Sequence, residues 1–198
     1  MEIELTLINR SNDADESHIV IFQKNTAPGA TSQVVAWRVI HGLQKEYPYT
    51  VMFPDSLQIA AEDSYGNTTG QTDVEAGQEA LAILGSSGLE LAIQAGTNGS
   101  AIVLQNALAS GAIDGIIYRD FMPIAKQAGI SPQQHSVFEF KPTIWIGVMG
   151  QVEEGDIMTE AILNDINTQI SLLGITRANV IMSGGGVEPF RFALEAVV

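Results

Sequence analysis

Cysteine is absent from the 198 residues, which excludes both a disulfide framework and a thiolate zinc site. Core burial alone must hold the fold, and the length permits it: a compact chain of this size removes roughly 70% of its unfolded surface from water. Basic residues are scarce. Nine Lys and Arg stand against 23 Asp and Glu, for a net charge of −14, and residues 46–118 and 142–176 contain neither Lys nor Arg. Nucleic acids and polyphosphates are recognised by clustered cations, so the sequence argues against both as partners. No apolar run approaches the eighteen or so residues of a membrane-spanning helix, so no transmembrane segment is expected. The N-terminal run Met-Glu-Ile-Glu-Leu-Thr-Leu-Ile-Asn is acidic and alternating, unlike a secretory signal. The expected location is cytoplasmic, or exported without a recognisable signal peptide.

What the chain does have is apolar residues, 45% of the total against 16% charged. That excess fits a large alanine-rich core, or apolar surface covered by a second copy or another protein. A homo-oligomer or a protein partner is therefore expected.

Period two dominates the patterning. Ile3, Leu5 and Leu7 alternate with Glu2, Glu4 and Thr6; Leu57, Ile59 and Ala61 alternate with Gln58 and Ala60; Leu89, Leu91 and Ile93 alternate with Glu90, Ala92 and Gln94. These read as half-buried strands. The runs Ile19-Val20-Ile21-Phe22, Ala101-Ile102-Val103-Leu104 and Ile144-Trp145-Ile146-Gly147-Val148 are continuously apolar and read as strands covered on both faces. Turn clusters punctuate them, among them Asn9 to Asp13, Gly85 to Gly88, Gly96 to Gly99 and Ser183 to Gly186. Spacings of roughly eight to fifteen residues point to an all-β fold, an antiparallel β-sandwich or jelly-roll of about eight to twelve strands forming a single domain over 1–198. At most one short helix is expected, near 157–164, followed by a strand at Thr168 to Leu172.

No catalytic motif is present. Gly85-Ser86-Ser87-Gly88 is one residue short of a nucleophile elbow and lies between strands. Ser183-Gly184-Gly185-Gly186 lacks the Lys-Ser/Thr of a phosphate loop, and too few residues follow it to build a helix, so it reads as a hairpin turn. His18, His41 and His135 lie far apart, without metal-ligand neighbours at helical or strand spacing. Glu153, Glu154 and Asp156 read as a solvated turn, with calcium coordination, together with carboxylates from a neighbouring loop, as their other use. Trp37 and Trp145 lie within apolar strands and read as core.

The richest polar run is Asp63-Ser64-Tyr65-Gly66-Asn67, followed by Asp73. Counted from Asp63, an EF-hand would need glycine sixth and glutamate twelfth, and the chain has Thr68 and Val74. Irregular oxygen cages still accept hard cations, and an aromatic ring beside Asp and Asn is lectin-like chemistry. Asp63, Tyr65, Asn67 and Asp73 are therefore the candidate ligand-binding residues, for carbohydrate or Ca²⁺, within a loop whose composition also suits a tight reversal. The function expected is non-enzymatic binding or self-assembly. A membrane-active, toxin-like β protein is the alternative, and a hydrolase with a site assembled from distant loops is the third reading.

Overall fold

The computed structural model describes residues 2–12, 17–97, 99–166 and 168–195; Asp13 and Asn98, which the sequence places in turns, lie outside the described residues. Among the described residues the chain is all-β, with one short helix. Seventeen strands are described: β1 (Glu2–Asn9), β2 (Ile19–Phe22), β3 (Gln33–Val34), β4 (Ala36–Ile40), β5 (Tyr49–Pro54), β6 (Leu57–Asp63), β7 (Thr72–Val74), β8 (Gln78–Gly85), β9 (Gly88–Ala95), β10 (Ile102–Asn106), β11 (Ile113–Arg119), β12 (Met122–Ile130), β13 (His135–Phe138), β14 (Thr143–Val148), β15 (Thr168–Ser171), β16 (Arg177–Gly185) and β17 (Glu188–Glu195). The helix α1 covers Glu160–Asp165. The count exceeds the eight to twelve expected because strands as short as β3 and β7 are too brief to show a period. Most ladders are antiparallel, but β1 pairs β16 in parallel, as β8 pairs β10.

The strands fall into two compact units. The first comprises Met1–Gln23, Val35–Asp55 and Pro142–Val198, the second Lys24–Val34 and Ser56–Lys141.

In the first unit two four-stranded sheets form, in the orders β17-β16-β1-β5 and β15-β14-β2-β4. β2 is buried along its whole length, as its continuously apolar sequence requires, while β1 buries Ile3, Leu5 and Leu7 and turns Glu4 and Thr6 outward. The sheets meet where Trp37 on β4 packs edge-to-face on Phe53 of β5, with ring centroids 5.5 Å apart. Burying a side chain such as Leu5 or Phe22, each at 0% exposure, contributes about 1.5–3 kcal/mol. Thr159 caps α1 by accepting from the Ile162 amide. Ile166 ends the helix and lies over Gly147 of β14, where a Cβ would come within 2.8 Å of it. The helix and β15 thus follow in the order the sequence predicts.

The second unit holds a four-stranded sheet, β13-β10-β8-β9, and a five-stranded one, β3-β12-β11-β6-β7. Their close approach is marked by Gly115 on β11: a Cβ there would collide with Leu104 of β10 and stand 3.6 Å from Phe138 of β13. Two strands differ from their expected half-burial. On β6 Gln58, Ile59, Ala60 and Ala61 are all buried, because β6 is an inner strand with small residues on both faces. On β9 no residue is fully buried, because it is an edge strand. Asp114 of β11 lies directly opposite Glu62 of β6, an unfavourable cross-strand pair that Lys126 of β12 neutralises at 3.0 and 3.2 Å.

Candidate functional site

The loop after β6 is a closed hydrogen-bond system. Asp63 Oδ1 accepts from the Tyr65 and Asn67 amides at 2.9 Å each, and Oδ2 accepts from Asn67 Nδ2 at 2.9 Å. The Gly66 amide donates to the Asp63 carbonyl at 3.0 Å, with Gly66 at φ +84°. Such Asx geometry is what Asp-x-x-Gly-Asn supplies to a reversal. The Asn67 side chain first, then the backbone amides, hold the Asp63 carboxyl below its ordinary range. Both carboxylate oxygens therefore already meet N–H donors of their own loop. Tyr65, 89% exposed, projects beside them.

Asp63, Tyr65 and Asn67 are thus brought together, but Asp73 is not. Asp73 pairs with Gln58, whose Nε2 donates to it at 3.3 Å, and Gln58 precedes Asp63 by five strand residues. At the rise of a strand that separation is roughly 16 Å. Among the described residues no group of three or more His, Asp or Glu side chains gathers to enclose an ion.

A different constellation forms in the first unit, between residues the sequence leaves scattered. β2 and β4 are antiparallel with Ile19 opposite Ile40, so His18 and His41, the next residues outward, meet across the ladder. His18 Nε2 and His41 Nδ1 lie 3.2 Å apart, their rings edge-to-face with centroids 4.2 Å apart. The acidic turn runs beside β4, where the Gly155 amide donates to the Ala36 carbonyl and the Ala36 amide to the Asp156 carbonyl. Its carboxylates go to separate partners. Glu153 Oε2 is 3.3 Å from His41 Nε2, Glu154 Oε1 accepts from the Val39 amide, and Asp156 Oδ2 accepts from the Glu153 amide. His18 Nδ1 is buried without a hydrogen-bond partner. The signal for this cluster was the position of each His at the flank of an apolar strand, which becomes informative only once those strands are known to pair.

No family model matches the chain, and no curated protein or solved structure is detectably similar to it. Among the described residues no helix is long and apolar enough to cross a membrane. The reading of function therefore rests on the sites themselves.

Two cavities among the described residues bear on binding. In the first unit, Ile3 and Phe53 face each other across the β1–β5 ladder, and the turn after β15 folds back with the Leu172 amide on the Pro142 carbonyl at 2.7 Å. Gly174, at φ +76°, lets that turn close. Between them lies a pocket of about 340 Å³ whose lining includes Ile3, Phe53, Pro142, Leu172, Leu173 and Ile175. Asp55 is its one ionisable lining residue, and Leu173, at 78% exposure, its most exposed hydrophobic one. In the second unit a cleft of about 310 Å³ is lined by hydroxyl, amide and imidazole groups, including Thr31, Gln127, Gln134, His135 and Ser136, with no Asp, Glu, Lys or Arg among its lining residues.

Proposed function

We propose that this protein is a non-enzymatic binding protein that takes a small apolar ligand into the pocket of its first unit. The observation that supports it is the pocket's lining: aliphatic and aromatic side chains around a single carboxylate, in a volume at the lower end of the range for small-molecule sites. The size also sets the strength. Burying about 150 Å² of apolar ligand surface contributes on the order of 4 kcal/mol before the cost of association, so binding is no tighter than roughly millimolar. A neutral or cationic ligand is favoured over an anion by Asp55 and by the net charge of −14.

Leu173→Asp tests the reading, since Leu173 is exposed and the fold is expected to survive its loss. Equilibrium dialysis with indole, a neutral aromatic, should show saturable binding to the native chain and binding at least about tenfold weaker to the variant. Equal binding by both would overturn it.

Carbohydrate binding is supported by a separate observation, the uncharged cleft of the second unit, whose hydroxyls and amides match sugar hydroxyls in chemistry. A glycan array tests it, and Gln127→Ala should remove any positive signal. The membrane-active reading has weaker support. Tyr65 follows the Asp63 end of β6, whereas the exposed Phe121 follows Tyr118, which pairs with Gln58 at the opposite end of that strand, so these apolar tips share no face.

A further inference from the structure

We propose that His18 and His41 form a binding site for a divalent first-row transition-metal ion, with Glu153 as the outer carboxylate that orients His41. The spacing carries the argument. Two nitrogens bound to one ion at about 2.0–2.1 Å are roughly 2.9 Å apart in adjacent square-planar positions and roughly 3.3 Å apart on a tetrahedron. His18 Nε2 and His41 Nδ1, at 3.2 Å, fall between those values.

The remote nitrogen of His41 fits the same reading. A metal-ligating histidine commonly donates its remote N–H to a carboxylate, and His41 Nε2 has Glu153 Oε2 at 3.3 Å. In the hydrogen-bonded pair, a single proton lies between the two facing nitrogens; an ion takes its place and engages both lone pairs, and that proton moves to His18 Nδ1. His18 has no such outer partner: with Nε2 on the ion its proton sits on Nδ1, which is buried without an acceptor, so the orienting contact comes from the His41 side alone. The site is reachable, with the His41 side chain 48% and that of Glu153 68% exposed. With two protein nitrogens and no third carboxylate or imidazole among the described residues, the remaining coordination positions belong to water or to a ligand. Imidazole donors select copper, nickel or zinc over calcium and magnesium.

The test uses the full chain and Cu²⁺ alone. One equivalent of Cu²⁺ should give an electron paramagnetic resonance spectrum with hyperfine splitting from two imidazole nitrogens, and isothermal titration with Zn²⁺ should show one site. Glu153→Gln should weaken that site about tenfold or more, while His135→Ala leaves it unchanged. His41→Ala, at an exposed position, should abolish the two-nitrogen spectrum with the circular dichroism intact; His18→Ala should do the same, and if it fails to fold, His41→Ala decides alone. A native spectrum without two-nitrogen splitting, or one that survives His41→Ala, overturns the proposal.

Discussion

Asp63 and Asn67 close a ring on each other: the Asp63 carboxylate accepts both the backbone and the side-chain N–H of Asn67 at 2.9 Å, and the Asp63 amide donates to the Asn67 carbonyl at 2.9 Å. These donors favour the ionised carboxylate, so Asp63 titrates below its ordinary value of 3.8. Because the folded value is the lower one, the contribution to stability is complete above the unfolded value and is lost as pH falls through the folded one. Carboxyl-carbon NMR should place the Asp63 midpoint below 3.8, and Asn67→Ala, which removes the largest cause, should move it upward. A native midpoint at the ordinary value would contradict this account of the loop.

Lys126 holds two carboxylates that would otherwise face each other across β6 and β11. The side chains are 26–31% exposed, between surface and core, so Lys126→Met should lower the unfolding free energy by about 1–2 kcal/mol. Adding Asp114→Asn should restore part of the loss, a coupling that urea unfolding of the four chains measures. The hydrogen bond that the Lys126 ammonium donates to Asp114, opposed by burial and joined by the one donated to Glu62, sets the direction of the Lys126 shift: its pKa is raised above 10.5. Its stabilisation is therefore present below 10.5 and fades as pH climbs through the higher folded value.

Gly184 and Gly66 share a positive φ, +84° at each, but not their surroundings. A Cβ on Gly66 would meet nothing within 4 Å, whereas one on Gly184 would strike the Pro189 carbonyl oxygen across the β16–β17 hairpin. Gly66→Ala should cost about 1 kcal/mol, the left-handed backbone penalty, and Gly184→Ala about 2–4 kcal/mol because backbone must also move. Thermal unfolding of the two variants ranks them, and equal losses would show that the hairpin yields.

Where burial decides structure locally, the sequence is a good guide. Ile19 to Phe22 is apolar without interruption and lies buried throughout, and Ser183 to Gly186 has the glycines that its bulged hairpin demands at φ +84°, +90° and +73°. α1 has no buried residue and rests on its Thr159 cap, which the apolar pattern does not pick out. Other turns defy composition. The two-residue turn at Asp120 and Phe121 carries φ of +50° and +60° without a glycine, so Asp120 alone is too weak a signal to announce it. The division into two compact units was equally hidden, since its boundaries at 23, 34, 55 and 141 fall in ordinary sequence and not in Pro- or Gly-rich linkers.

The sites follow the same rule. Asp63, Tyr65 and Asn67 were legible together because they are neighbours in the chain. Asp73 was grouped with them by sequence proximity, and strand pairing carries it away to Gln58. His18 with His41, and Ile3 with Phe53, are products of register between distant strands, which composition and periodicity do not encode.

The central claim, an apolar binding pocket between Phe53 and the turn after β15, is tested most directly by methyl NMR during titration with indole. The account predicts saturable shifts confined to the methyl groups of Ile3, Leu172, Leu173 and Ile175, with Leu84 of the β8–β9 hairpin unmoved. Shifts absent from the methyls of those four residues, or spread equally to Leu84, would contradict it.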